Sequence, residues 1–439
     1  MMDTQMKPSV SLLITLFGMG SWIAINGVMA ELPLLVAKLP EGWNLPTYLV
    51  LIIQVANIGP IFFTIMRHYK RSFASLKYTA YSILLLGFVT AILLSQFWDK
   101  VVEIGSKKSS LPLLFLSFIF ALSDCTSSVV FLTFMAKYPS GYMVPFYIGG
   151  GMSGVMPSML TLAQGTVGGT CSNVSTSDSS DEPRFGVNLY FGLLSIFVVI
   201  SGTAFYLLNN LDFSRNERYS NIQPDSPSIQ SPEQDGSPTL EENASLSPDP
   251  NEIKSTNIRV YDVFFGTRSL ELTQIKWTLV QLYSVIIIVS ALGNAVIPAI
   301  LSYACLPYGP TAYHLATELG LMANPICCFL AFFVACKRPP ILGMLCSVSV
   351  IFATVIIYTA TLSPSPWLVG TTEGSVLIIL LNVLWTGTIS YIKVNVASVL
   401  QQYGENALMF CGIVTQLGAC LGAITIFLIN SYTNSFTPC

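Results

Sequence analysis

Apolar runs of about 20 residues, each long enough to cross a bilayer, recur from one end of the chain to the other with short polar connections between them. They predict spans over residues 10–36, 47–66, 78–97, 111–136, 142–163, 187–208, 278–301, 312–334, 341–362, 375–394 and 407–430. Six precede a long polar stretch and five follow it. The expected fold is therefore an all-α polytopic membrane protein of eleven transmembrane helices in a 6+5 arrangement. Residues 1–208 form an N-terminal six-helix half, 209–276 a linker and 277–439 a C-terminal five-helix half. The first run contains Trp22 and Asn26 and continues past Glu31 to Val36, so it reads as a retained span and not a cleaved leader.

The two halves repeat. Leu39-Pro40-x-Gly42 recurs as Leu306-Pro307-x-Gly309, and the same offset of 267 carries Ala56-Asn57 onto Ala323-Asn324. An even number of spans separates the copies, which makes this a parallel repeat of the major facilitator kind, one helix short in the second half. That architecture lines a central cavity with spans 1, 4, 7 and 10, and those spans are the polar ones. Spans 3, 6 and 9 are mainly apolar and are expected to face lipid.

Composition agrees. Of 439 residues 52% are hydrophobic and 10% charged, with a net charge of −3, against roughly 25% charged in soluble domains. The charge excludes a polyanion such as nucleic acid as partner; the partner is the lipid bilayer. With the N-terminus inside, the connections distribute Lys and Arg 15 to 5 in favour of the inner side, which predicts a cytoplasmic N-terminus and an extracellular C-terminus. The 209–276 stretch, rich in Ser, Pro, Asn and Asp, is expected to be a disordered cytoplasmic tether. Asn173-Val-Ser is a glycosylation sequon in an outer connection. No metal spacing, nucleotide loop or nucleophile elbow occurs, so neither an enzyme nor a bound cofactor is expected.

Ionisable and carboxamide side chains inside spans supply the candidate site. Asp124, the deepest acid, either accepts a substrate hydroxyl or a proton, or pairs with Lys393. Glu31 lies towards the outer end of span 1, where it reaches a vestibule or is satisfied by water. Asn26, Gln54, Asn57, Asn294, Asn324 and Asn382 offer donor and acceptor without charge, and suit a neutral ligand with many hydrogen-bonding edges. Interhelical bonding is the competing role for the same groups. Trp22 and Tyr391 could stack on a flat ring. Gly149, Gly150, Gly151, Gly154, Gly418 and Gly422 are expected to be close-packing positions of spans 5 and 11.

Several segments resemble the animal riboflavin transporter family: FGMGSWIAINGV from Phe17, ELPLLV from Glu31, LPEGWNLPTYL from Leu39, QVANIGP from Gln54, ALSDCTSSVVFLTFM from Ala121, YGPTAYHLA from Tyr308, SYIKV from Ser390 and CGIVTQLGACLGA from Cys411. Within that family the chain looks like a nematode-type or other invertebrate member. The resemblance covers everything except the outer connections and the central stretch. It implies uptake of riboflavin across the plasma membrane by alternating access, without sodium. Riboflavin fits the residues: it is neutral, with a ribityl chain of hydroxyls, an imide edge and a flat tricyclic ring. Equilibrative nucleoside carriers share the span count and the long central connection, so topology alone admits them. Some members of the resembled family carry a cysteine where this chain has Ser365, which leaves Cys439 to pair with Cys171 or Cys305, or to stay free.

Overall fold

A computed structural model of the chain describes residues 6–42, 45–69, 75–104, 107–165, 183–220, 270–433 and 436. Sixteen helices and one hairpin follow in order. Before residue 221 come α1 (Pro8–Met19), α2 (Ile23–Ala30), α3 (Leu32–Lys38), α4 (Leu45–Ala56), α5 (Ile58–Tyr69), α6 (Leu76–Phe97), β1 (Val102–Ile104), β2 (Lys107–Ser109), α7 (Leu111–Met135), α8 (Met143–Gln164), α9 (Val187–Asn210) and α10 (Asp212–Ser220). After residue 269 come α11 (Leu270–Ala291), a π-helical turn (Leu292–Val296), α12 (Ile297–Cys305), α13 (Pro310–Phe333), α14 (Pro339–Thr361), α15 (Thr372–Gln401) and α16 (Glu405–Thr433).

Among the described residues, nine helices are long and apolar enough to cross a membrane, and α1 with α2, bent by 53°, makes a tenth span if the pair is taken together. The expected eleventh, α8, is the right length but carries four glycines and two prolines, which lower its apolarity and bring other backbones close. Gly149 lies against the backbone of Thr15 and Met19, Gly418 against Ile287 and Gly422 against Ala291. A Cβ at Gly151 would meet the Pro325 nitrogen at 2.9 Å, so α8 and α13 touch backbone to backbone. Gly150 is roomier, its nearest neighbour being the Ser21 hydroxyl at 3.9 Å.

The repeat is visible as geometry. Gly42 N–H donates to Leu39 O at 3.1 Å, and Gly309 N–H donates to Leu306 O at 2.9 Å. Both glycines have positive φ, +52° and +108°, which explains why glycine recurs at this turn. Each turn leads into a new helix, and each preceding span is interrupted, at 20–22 in one copy and at the π-helical turn in the other.

Three expectations change. Span 1 is not one straight helix but α1, α2 and α3 in series. The lipid-facing set changes in part: α4 with α5 is the least buried of the nine at 22% and α14, span 9 of the sequence reading, is 28% buried, whereas α6 and α9, spans 3 and 6, are 44% buried and α7 reaches 67%. Finally, the linker is shorter than 209–276 at both ends. α10 docks on the bundle through buried Ser214, whose hydroxyl lies 3.1 Å from that of Tyr138, and through Glu217, which bonds Tyr142 and Lys7. At the far end, α11 already begins at Leu270. The rest of the stretch, 221–269, lies outside the described residues, as do Asn173, Cys171 and Cys439. Cys305 is a buried free thiol, and its expected pairing with Cys439 lies outside the described residues.

Lys137, Arg218, Arg67 and Lys77 gather at one end of the bundle. Burial, followed by the like charges of Arg218, Arg67 and Lys77, pushes the Lys137 ammonium below its ordinary pKa. Helices from either side of the 221–269 gap are tied together at this end. Arg67 at the end of α5 pairs with Glu405 at the start of α16, and Gln401 Nε2 donates to Met135 O at 2.9 Å and to Tyr138 O.

Candidate functional site

The polar residues of span 1 are organised by its break. Where α1 stops and α2 starts, the first N–H groups of α2 have no partner in their own helix. The Asp124 carboxylate of α7 supplies one: its Oδ2 accepts from Ile25 N–H at 2.8 Å, and Ala24 N–H bonds the same carboxylate. Ser127 Oγ donates to Ser21 O at 2.6 Å, and Trp22 Nε1 donates to Ser128 Oγ at 2.9 Å. The run Asp124 to Ser128 thus caps both sides of the break from a neighbouring helix. The Asp124 side chain is buried, and the pairing with Lys393 is not made. Its oxygen is occupied by backbone, and Lys393 bonds elsewhere, donating from Nζ to Asn294 Oδ1 at 3.0 Å.

The carboxamides separate into two sets. Asn382 is buried and donates to Ala316 O at 2.7 Å, holding α15 to α13. Tyr391 OH donates to Val334 O at 2.6 Å, just beyond the end of α13. Asn324 accepts from the Cys328 thiol at 3.5 Å on its own helix. The other set retains accessible or unpartnered atoms. Asn26, half-buried, donates to Ser153 Oγ at 3.2 Å. Asn57, at the break between α4 and α5, donates to Gln54 Oε1 at 3.3 Å while its own Oδ1 is buried without a partner. Asn294 is exposed on the π-helical turn, a distortion that often marks functional positions in helices.

α8 is the seam between these groups. Tyr147 packs with Cys328, Ala331 and Val394 of α13 and α15. Further along α8, Ser153 holds Asn26, and a Cβ at Gly154 would lie 3.0 Å from Leu321 of α13 and 3.9 Å from Asn26 Nδ2. Trp22 and Asn26 therefore border the seam from one side. On the other side Val394 packs against Tyr147, and its neighbour Lys393 donates to Asn294.

Glu31 is buried and accepts from Gln164 Nε2 at 3.0 Å on one of its two oxygens. Sequence reasoning did not single out Ser153 or Gln164. For Lys393 the sequence offers only one of two alternatives, pairing with Asp124, because opposite charges inside spans invite pairing.

Membrane-crossing helices on both sides of a polar gap, the repeated turn and a glycine-rich seam define a polytopic carrier of major-facilitator type. Solved structures agree on the fold. A major facilitator transporter, FucP, in the outward conformation superimposes with a TM-score of 0.51 at 13% identity, covering 97% of this chain and 92% of that one. A bacterial homologue of the iron transporter ferroportin gives 0.52 at 14%, with the same coverages. Residues 6–438 match the family described as "Solute carrier family 52, riboflavin transporter". The chain is 37% identical over 455 residues to "Riboflavin transporter 2" of Salmo salar, covering 97% of both chains. It is 34% identical over 462 residues to "Solute carrier family 52, riboflavin transporter, member 3" of Homo sapiens, covering 95% of both. The chain belongs to the solute carrier family 52 riboflavin transporters.

Proposed function

We propose that this protein takes riboflavin into the cell across the plasma membrane by alternating access, without sodium. The observation that carries the reading is family membership over nearly the whole chain. The neutral, hydrogen-bonding character of Asn26, Gln54, Asn57 and Asn294 supports it, because riboflavin presents hydroxyls and an imide to such groups. In this reading α8 counts as a span and the bundle has eleven, six before the central stretch and five after it. The halves rock about the α8–α13 seam, with the N-terminus cytoplasmic, the C-terminus extracellular and Asn173 glycosylated. The nematode-type or other invertebrate branch is what the sequence resemblance implies within the family; the matched relatives, of Salmo salar and Homo sapiens, are vertebrate.

Trp22, Asn26 and Asn294 form the proposed substrate face, with Gln54 and Asn57 beside it. Asp124, Asn382, Asn324 and Tyr391 hold helices in place around it. Cells expressing the protein are expected to accumulate labelled riboflavin above controls, with flavin analogues competing and nucleosides not. Competition by nucleosides alone would replace this reading with the nucleoside-carrier one. Asn26→Ala should raise the half-saturation concentration several-fold at unchanged surface amount. Unaltered kinetics would remove Asn26 from the site.

A further inference from the structure

Two of the carboxyls buried in the first group of helices, Asp124 and Glu31, end differently. Asp124 bonds the backbone of α2, whereas Glu31 keeps one oxygen open. Glu31 is 1% exposed, and its Oε2 has no hydrogen-bond partner. Gln164, 0% exposed, donates from Nε2 both to Glu31 Oε1 and to Phe185 O, each at 3.0 Å. Two acceptors facing the same nitrogen fix the orientation of that amide, because a flipped side chain would aim oxygen at oxygen. Gln164 Oε1 is then buried without a partner as well. The pair thus holds two buried acceptors, and both amide hydrogens are already in use.

The surrounding elements do not supply the missing donor. From α9, the Tyr190 hydroxyl donates to Gly27 O at 2.9 Å. From the segment before α9, Arg184 donates towards Ala163 O at 3.5 Å. From α3, Lys38 acts on Glu31 through its charge and lies 5.7 Å from the Trp98 ring centre. From α7, Asp124 turns to the opposite end of α2.

One proton answers both vacancies. On Glu31 Oε2 it converts an acceptor into a donor, for which the unpartnered Gln164 Oε1 of the same pair is an acceptor. Paired so, a carboxylic acid and a primary amide make a two-bond ring, and the proton removes an ionic charge from a buried site where such charge is costly. We infer that Glu31 is a proton-binding site: in this conformation it holds a proton shared with Gln164, and it releases that proton when α8 moves away from α2. The proton comes from water and returns to water, and only an O–H bond forms and breaks. Glu31 is then a positioning residue, which closes the end of α8 against span 1 when neutral and loosens it when ionised.

The transport half of this inference rests on the riboflavin-uptake reading; the spectroscopic half does not. Purified protein in liposomes, followed by infrared difference spectroscopy across pH, should show a protonated-carboxyl band that is absent in Glu31→Gln. The band should move to higher frequency in Gln164→Leu, where the acid keeps its proton but loses its acceptor. Asp124 is common to all three proteins and cancels. Riboflavin uptake by the wild type should fall on the alkaline side by about tenfold per pH unit, the slope of one ionising group. Glu31→Gln, whose amide cannot ionise, should lose that limb. Identical carboxyl bands in wild type and Glu31→Gln would overturn the proposal, as would a band unmoved by Gln164→Leu. An alkaline limb retained in Glu31→Gln would also overturn it. If Glu31→Gln does not fold, Gln164→Leu still decides, because it leaves Glu31 in place. If the wild type carries no riboflavin at all, the uptake reading fails while the infrared comparison still settles the proton site.

Discussion

Glu41 shows how one side chain outside the spans can hold two of them. It sits in the turn after α3, and its Oε1 accepts from Ser109 Oγ at 2.9 Å and Ser110 N–H at 2.6 Å, while Oε2 accepts from Ser110 Oγ at 2.6 Å. Ser110 immediately precedes α7, so the carboxylate ties span 1 to the start of the central helix. Burial by itself would raise the Glu41 pKa, but the hydrogen bonds from Ser110 and Ser109 outweigh it and hold the carboxyl below the usual range. A carboxyl depressed in the folded state contributes stability that is present above its unfolded pKa of about 4.3 and is lost as pH falls through the folded value. Thermal unfolding of the purified protein should therefore show a midpoint that drops on the acid side of pH 4. Glu41→Gln should lower the neutral-pH midpoint and flatten that drop; an unchanged acid limb in the variant would assign it to other groups. The sequence displayed Glu41 plainly, but its partners are two serines almost seventy residues away, which no local pattern connects.

Among elements, the break in span 1 is the feature least legible in the chain. No proline marks it, and the apolar run reads straight through Gly20, Ser21 and Trp22. What stabilises the break lies on α7, where Asp124, Ser127 and Ser128 meet backbone and indole groups. The rule that intramembrane acids are functional identified Asp124 correctly as exceptional. It could not say that the partner was a helix end. Replacing Asp124 with Asn keeps an acceptor and should cost about 1 kcal/mol, whereas Asp124→Leu strands buried N–H groups at roughly 1–3 kcal/mol each. Melting curves in detergent should rank wild type above Asn above Leu. An Asp124→Leu protein as stable as wild type would contradict the capping role. The spans themselves were legible because bilayer thickness sets their length. Among the described residues α8, whose glycines serve close packing, departs from that rule, and span 1 meets it only as the bent pair of α1 and α2.

At the scale of the whole molecule, the repeat read from Leu39-Pro40-x-Gly42 and Leu306-Pro307-x-Gly309 became a repeated turn, and the polar residues became two borders of one seam. The contacts that bind the two groups of helices at the basic end were not legible, since Arg67 and Glu405 are separated by most of the chain. Alternating access requires that end to open, so Arg67–Glu405 and the Gln401 bonds to Met135 and Tyr138 must break in each cycle. Reversing one charge, as Arg67→Glu or Glu405→Arg, should reduce riboflavin uptake several-fold at equal surface amount. The double reversal should recover most of it. Failure of the double variant to exceed either single one would show that the pair does not act as a unit.

The central claim is that this chain by itself moves riboflavin through the membrane. Purified protein reconstituted into liposomes preloaded with riboflavin provides the direct measurement, with labelled riboflavin added outside and its entry followed over time. The account predicts transient accumulation of label above protein-free liposomes, abolished by excess unlabelled riboflavin and indifferent to replacing sodium. Label entry equal to that of protein-free liposomes, from protein verified as folded, would contradict it.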